Sequence, residues 1–127
     1  MLYSYIRMQQ TRNEQIAWLG LREIYRLLGT PEGNSVVRIL LQKESMRATE
    51  LMKESKVSDP KFYVIMRALV MCQVVDRKVH ADRSVSYNIS PFGRNVLELS
   101  EPILDQIKEK MKDKESLLLS AVQRKTV

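Results

Sequence analysis

One cysteine, Cys72, and one histidine, His80, are the candidates for metal or nucleophilic chemistry in this 127-residue sequence. A protein metal site needs several such ligands at close spacing, and an internal disulfide needs two cysteines. No phosphate-cradling glycine loop and no nucleophile–base motif occurs. Cys72 follows a buried helical stripe, so we interpret it as a small core residue, with a redox sensor as the alternative. The sequence therefore predicts a cytoplasmic protein that is not an enzyme and needs no cofactor or metal.

The basic side chains offer a different chemistry, the binding of an anion. The formal net charge is +6, and the pI is about 9.6. Residues 47–94 contain nine Lys and Arg against five Asp and Glu, whereas residues 95–127 contain six of each kind. The positive excess is therefore concentrated in the middle of the chain, where we expect a phosphate backbone to be met.

A change of hydrophobic period shows how the middle of the chain is organised. Apolar residues recur at helical spacing from Phe62 to Leu69, directly after the helix-start signal Ser58-Asp59-Pro60. Within residues 75–89, apolar and polar residues then alternate on either side of a polar turn, which predicts a hairpin of two strands. Ser90-Pro91 opens a further helix. Helix, two-stranded hairpin and helix in this order predict a winged helix-turn-helix.

These residues also carry a resemblance to a known group of proteins. VSYNISPFGR, residues 85–94, resembles the second wing strand and following helix of archaeal and bacterial transcription regulators of the HxlR, PadR, ArsR and MarR type. RATELMKESKVSDPKFYVIMRAL, residues 47–69, is similar to their helix-turn-recognition-helix. The sequence departs from their pattern at Gln73, where a small residue is usual, and at Val64 and Ile65, where a groove-reading helix is normally polar. A composition rich in Lys, Arg and Met favours an archaeal source.

The resemblance implies a mainly α (α+β) fold and duplex DNA as the partner, with the recognition helix in the major groove and the wing on flanking backbone. A recognition helix that buries Phe62 and Leu69 turns its intervening polar residues outward. Basic side chains of the wing suit phosphates or the minor groove, although a charged hairpin tip is also simply soluble. The candidate DNA-binding residues are Arg47, Ser58, Lys61, Tyr63, Val64, Arg67, Arg77, Lys78, His80 and Arg83.

The remaining segments flank a predicted DNA-binding domain at residues 34–94. Residues 1–30 are expected to form an N-terminal helix that is apolar on two sides from Thr11 onward. Such a helix is either an extra core helix or a helix clamped at a dimer interface. Residues 1–10 show no clear period and are expected to be partly disordered.

Residues 95–122 are predicted to form a long C-terminal dimerisation helix, because leucine and methionine recur there every seven residues. Pro102 either kinks this helix or begins a new one after Ser100. The alternative to dimerisation is that the helix folds back on its own domain. The candidate dimerisation residues are Trp18, Leu97, Leu104, Ile107, Met111 and Leu118.

The sequence thus predicts a homodimeric, DNA-binding transcription regulator, most simply a repressor that occupies a promoter. Two alternatives are a winged-helix module that contacts protein, favoured by the apolar Val64 and Ile65, and a weakly specific architectural DNA-binding protein. No apolar run approaches the length of a membrane span, and no signal-peptide pattern is present, so no membrane partner is expected.

Overall fold

The computed structural model describes residues 2–114 and 119–121, and its contacts divide the chain into two units, residues 1–94 and 95–127. The elements are α1 (Leu2–Leu28), α2 (Pro31–Lys43), β1 (Ser45–Arg47), α3 (Ala48–Ser55), α4 (Asp59–Met71), β2 (Val75–Val79), β3 (Val85–Ile89) and α5 (Pro91–Met111). A 3-10 turn follows α5 at Lys112–Lys114, and residues 119–121 are helical. No helix in the described part of the chain is long and apolar enough to cross a membrane.

The sheet is antiparallel, with strand order β1-β3-β2. In the hairpin, Val75 lies opposite Ile89 and Val79 opposite Val85, while β1 places Met46 opposite Tyr87 at the other edge of β3. Helix, short strand, two helices and a hairpin in this order make a winged helix-turn-helix. The predicted fold class, mainly α with a two-stranded wing, is confirmed.

The core of residues 1–94 is built around α4. Phe62, Met66 and Leu69 of this helix are fully buried, each contributing about 1.5–3 kcal/mol by removal of its side chain from water. The ring of Phe62 meets that of Tyr87 edge-on, with centroids 6.3 Å apart. Because Tyr87 belongs to β3, this contact ties α4 directly to the wing.

Helix α2 begins at Pro31, three residues before the start of the predicted DNA-binding domain at residues 34–94. Thr30 caps it: the Thr30 Oγ1 accepts a hydrogen bond from the Gly33 N–H at 3.1 Å and donates one to the Leu27 carbonyl at 2.7 Å. A side chain at Gly33 would place its Cβ 2.2 Å from the Leu27 oxygen. The close contacts of Thr30 and Gly33 therefore make a tight joint between α1 and α2, with proline at the first helical position of α2.

Helix α1 extends to Leu2, so the expectation of partial disorder is wrong for residues 2–10. Within α1 the buried residues are Ile24, Leu27 and Leu28, all in the last two turns. Trp18 is 64% exposed in this single chain. The interpretation of α1 as a core helix therefore applies to its end, and most of its apolar side chains face outward.

Helix α5 continues through Pro102, so the alternative in which a new helix begins there is wrong. Proline lacks the N–H that would bond four residues back, and it is tolerated here inside the helix. In the preceding turn, the Ser100 hydroxyl donates a hydrogen bond to the carbonyl of Val96, four residues back, at 2.5 Å. The helix ends at Met111, short of the run to Val122 that the sequence suggested.

Candidate nucleic-acid interface

A cleft of about 690 Å³ separates α4 from the wing. Four arginines line it, and we call this group, Arg47, Arg67, Arg77 and Arg83, the arginine cleft. Tyr63 of α4 lines the same cleft and is 42% exposed. The structure thus brings together five of the ten predicted DNA-binding residues.

The sheet and the helices position these side chains. Arg47 is the last residue of β1, opposite Ser86 of β3, so strand pairing carries the start of α3 beside the wing. Arg77 lies opposite Tyr87, whose ring packs towards α4. Arg83 occupies the hairpin turn with φ of 68°, a left-handed conformation unusual for a residue with a side chain.

The arginine cleft is electrostatically unbalanced. Among the residues that the structure describes, no carboxylate oxygen lies within 4.0 Å of any of its four guanidinium groups. The nearby Asp82 accepts two hydrogen bonds from Ser84 at its Oδ1, one from the N–H at 3.0 Å and one from the hydroxyl at 2.6 Å. These hydrogen bonds, with a smaller effect from the charge of Arg47, lower the pKa of Asp82. Unpaired like charges in a concave surface concentrate positive potential, which suits a phosphate.

Lys61 lies on the other side of α4 and already has a partner. Its Nζ is 2.8 Å from Oε1 of Glu32, at the start of α2. The hydrogen bond from Lys61 is the main reason that the pKa of Glu32 is lowered. Ser58 precedes α4 and is exposed, and it makes no side-chain capping bond. These two predicted contacts are therefore outside the cleft.

Lys78 and His80 also lie outside the cleft. Residues of a strand alternate between its faces, so Lys78 takes the opposite face of β2 from Arg77, and His80 follows the end of that strand. The His80 Nε2 is 2.8 Å from the hydroxyl of Ser86, which is buried. The wing thus divides its predicted DNA-binding residues between two faces, with Arg77 and Arg83 on the side of the cleft.

The outer face of α4 carries a second feature, the α4 ridge, made of Pro60, Val64, Arg67 and Met71. Their spacing of four, three and four residues puts them on one face of the helix. Val64 is 65% and Met71 77% exposed. Ile65, by contrast, is buried, so the inference that two apolar residues occupy the reading surface is wrong for Ile65.

Three residues with hydroxyl groups line the cleft and were not predicted from the sequence, namely Thr49, Ser84 and Tyr87. Thr49 is exposed in the first turn of α3, where backbone N–H groups have no helical partner. No local sequence signal marks Thr49, because the pairing of Arg47 with Ser86, which brings the start of α3 to the cleft, joins segments far apart in sequence.

The root of the wing is fixed by a small set of close contacts. Gln73 has φ of 63°, a left-handed conformation that glycine adopts more easily than a residue with a side chain. The Ser90 Oγ donates a hydrogen bond to the Gln73 carbonyl at 2.6 Å and accepts one from the Gly93 N–H at 2.8 Å, so Ser90 caps α5 at the helix start that the sequence predicts. A Cβ at Gly93 would lie 2.1 Å from the Val74 oxygen. These contacts pack the start of α5 against the segment that joins α4 to β2.

Cys72 closes the end of α4 and is partly buried. Burial, followed by the charge of Glu23, raises the pKa of its thiol. A raised pKa keeps the thiol protonated at neutral pH, which disfavours thiolate chemistry. Within residues 2–114 and 119–121, no three His, Cys, Asp or Glu side chains gather as metal ligands would.

The predicted dimerisation residues differ widely in exposure. Trp18 of α1 is mostly exposed, as stated above. In α5, Leu97 is buried, Leu104 is half-buried, and Ile107 and Met111 are exposed. Leu118 lies outside the described residues.

The fold is similar to that of several solved transcription regulators. A variant of MarR from E. coli superposes with a TM-score of 0.58 at 19% identity, covering 94% of this chain and 93% of that chain. MepR from S. aureus, bound to an oligodeoxyribonucleotide, gives 0.57 at 15% identity, with 96% and 94% covered. An ArsR-family transcriptional regulator gives 0.54 at 18% identity, with 71% and 91% covered.

At these identities the likeness concerns the fold, which is the winged helix-turn-helix of MarR-type and ArsR-type regulators. No protein-family model matches the sequence, and no curated protein matches it.

Proposed function

We propose that the protein is a DNA-binding transcription regulator that acts as a homodimer and represses by occupying a promoter. The observation that carries the proposal is the arginine cleft, which four arginines line with no carboxylate oxygen of the described residues within 4.0 Å of their guanidinium groups. Arginine binds phosphate oxygens through two parallel hydrogen bonds, so the cleft suits a polyanion.

The position of the cleft points to duplex DNA in particular. It lies between α4, the second helix of the helix-turn-helix, and the wing. In this fold the second helix enters the major groove. A phosphate strand that borders the groove would then run through the cleft, with Arg77 and Arg83 on the wing side and Arg67 on the helix side. MepR, whose fold is similar, was solved with an oligodeoxyribonucleotide, which supports the same partner.

The homodimer is proposed from the exposed apolar side chains of α1 and α5. Ile16, Trp18 and Leu19 of α1 are each more than half exposed, and Ile107 of α5 is 46% exposed. Large apolar patches on a soluble chain mark an interaction surface. A second copy of the chain is the simplest partner that would bury these side chains. In a two-fold symmetric dimer the same apolar patch of each copy covers that of the other, so no different protein is needed.

The DNA proposal is tested by titrating the protein into labelled duplex at several salt concentrations. The logarithm of affinity should fall with the logarithm of salt at about 0.9 per phosphate contact. A regulator should also prefer its own promoter to random duplex by about a thousandfold or more. Absence of binding at low salt would refute DNA binding, whereas tight binding without preference would assign an architectural role.

The dimer is tested by replacing Leu104 and Ile107 with glutamate. Each apolar side chain removed from an interface costs about 1.5–3 kcal/mol, and the buried charges add to the loss. We expect the double variant to sediment as a monomer at micromolar concentration, while Gln106→Glu, which adds charge at an exposed neighbour, remains dimeric. A dimeric double variant would move the interface to the helix that contains Trp18.

A second function is favoured by one observation, the exposure of Val64 on the outer face of α4. An apolar residue there would also suit a winged-helix module that contacts protein. That function predicts that Arg67→Glu leaves duplex binding unchanged, whereas the DNA-binding function predicts a large loss.

A further inference from the structure

We propose that the α4 ridge reads the C5-methyl groups of thymine in the major groove, with Val64 as the principal specificity-determining residue. The inference rests on the proposed function, since it assumes that α4 enters the major groove, and it adds the class of base sequence that the helix selects.

The geometry of the ridge favours a reading role. Pro60, Val64, Arg67 and Met71 lie opposite the buried face of α4 that carries Phe62. Val64 projects from the second turn, near the N-terminal end that meets base edges in this motif. Its side chain is 65% exposed, so the apolar surface is available to a partner.

The chemistry of the ridge matches one feature of the groove. Arg67 is its only member with hydrogen-bonding side-chain groups, because valine, methionine and proline side chains offer no strong donor. In the major groove the base edges present donors and acceptors, and the thymine C5-methyl is the apolar exception. Pressing Val64 against a guanine or cytosine edge would leave a desolvated polar atom without a partner. Apposition to a thymine methyl avoids this cost.

The positive charge beside the α4 ridge favours DNA over a protein as the partner that contacts the ridge. Arg67 belongs to both the ridge and the arginine cleft, so the apolar surface borders a cleft that four arginines line. The centre of a protein–protein interface is usually depleted of charged residues. A polyanion that also displays methyl groups fits both features, and duplex DNA containing thymine is such a partner.

The test begins with selection of the tightest-binding duplex from a random library by the full-length protein. The selected duplex is then resynthesised with uracil in place of thymine at one position at a time, which removes the methyl group and leaves every phosphate in place. At the contacted position we expect affinity to fall about fourfold, the effect of one buried methyl-sized group, with an unchanged salt slope. A 5-methylcytosine–guanine pair at that position should bind more tightly than the unmethylated pair.

Matched variants assign the effect to the ridge. Val64→Ala should bind thymine and uracil duplexes with nearly equal affinity, and because Val64 is exposed its melting temperature should stay close to that of the wild type. Arg77→Ala should weaken binding to both duplexes and preserve their ratio.

The outcomes separate this inference from the proposed function. If no thymine-to-uracil change affects salt-dependent binding, or if Val64→Ala retains the full discrimination, the ridge does not read methyl groups although the protein binds DNA. If Val64→Asp binds the duplex as the wild type does, the ridge faces a protein partner and the inference is overturned. If no duplex is selected at low salt, the proposed function itself fails.

Discussion

The two sides of α4 both carry basic residues but differ in how those charges are used. On the wing side, the arginine cleft collects positive charge with no carboxylate within 4.0 Å in the described part of the chain. On the α2 side, Lys61 is bonded to Glu32 at 2.8 Å. A basic residue that is already paired gains less from a phosphate, because it must first give up its partner. Unpaired charge, rather than charge alone, therefore distinguishes the candidate site.

The largest expected effect comes from removing two charges on the cleft side. Arg67→Ala with Arg77→Ala should weaken duplex binding about a hundredfold or more, since each arginine contact contributes about 1–3 kcal/mol. The salt slope should fall by about one for each phosphate that the variant no longer binds. Fluorescence anisotropy across a salt series measures both quantities.

The matched control removes two charges elsewhere, Lys53→Ala with Lys110→Ala. Both side chains are exposed and lie outside the cleft, so affinity should change only slightly. Equal losses in the two double variants would mean that net charge drives binding, and the comparison between the two sides of α4 would collapse.

A second variant disturbs the cleft without touching its arginines. Gly93→Ala would force a Cβ against the Val74 oxygen at the root of the wing, and such overpacking typically costs about 1–3 kcal/mol. We expect a lower melting temperature and weaker DNA binding. Gly20→Ala is the control, because nothing lies within 4 Å of its added Cβ and alanine favours a helix by about 0.5–1 kcal/mol.

A third pair of variants compares the two faces of the wing. Arg83→Ala should weaken duplex binding several-fold, because Arg83 lines the cleft. Lys78→Ala should have a smaller effect, since Lys78 lies on the opposite face of β2. Gel-shift titrations at one low salt concentration suffice. A larger loss for Lys78 would show that DNA meets the outer face of the wing.

The smallest expected effects concern Glu32. Glu32→Gln releases Lys61 from its charged partner, so duplex affinity should rise by about twofold, in keeping with the modest energy of an exposed ion pair. An unchanged or lower affinity would show that Lys61 does not reach DNA.

The same pair predicts a small pH dependence. Lys61 holds the pKa of Glu32 below its ordinary value of 4.5, so the folded state favours the charged carboxylate. The stabilisation is therefore present above pH 4.5 and is lost as the pH falls through the lower, folded-state pKa. Melting temperatures of the wild type and of Glu32→Gln should be measured from about pH 2 to about pH 7. The two melting temperatures should converge at the acidic end, where the Glu32 carboxyl is protonated. Parallel curves would indicate that the pair does not affect stability.

The sequence predicted the elements whose signals are local. Ser90-Pro91 marks the start of α5, and residues 75–89 form the hairpin that their alternation predicts. It did not predict contacts between distant segments. The pairing of Arg47 with Ser86 closes the cleft, and the bond from Lys61 to Glu32 spans 29 residues. Periodicity describes which face of an element is apolar, but it does not identify the segment packed against that face.

The N-terminal helix illustrates the same limit. The sequence shows that this helix is apolar on two sides. Either burial in the core of its own chain or contact with a partner would explain that pattern. In the single chain only the stretch from Ile24 to Leu28 contributes buried side chains to the core, so the remaining apolar surface became evident only with the structure. The homodimer stays a prediction that sedimentation will test.

The claim that the arginine cleft holds the DNA backbone is tested most directly by nuclear magnetic resonance of the arginine side chains. A ¹⁵N-labelled protein is titrated with a short duplex while the Nε–H signals are followed. We predict large shifts for Arg67, Arg77 and Arg83, and none for Arg12 and Arg22 on α1. Shifts confined to arginines outside the cleft, at a duplex concentration that saturates binding, would contradict the account.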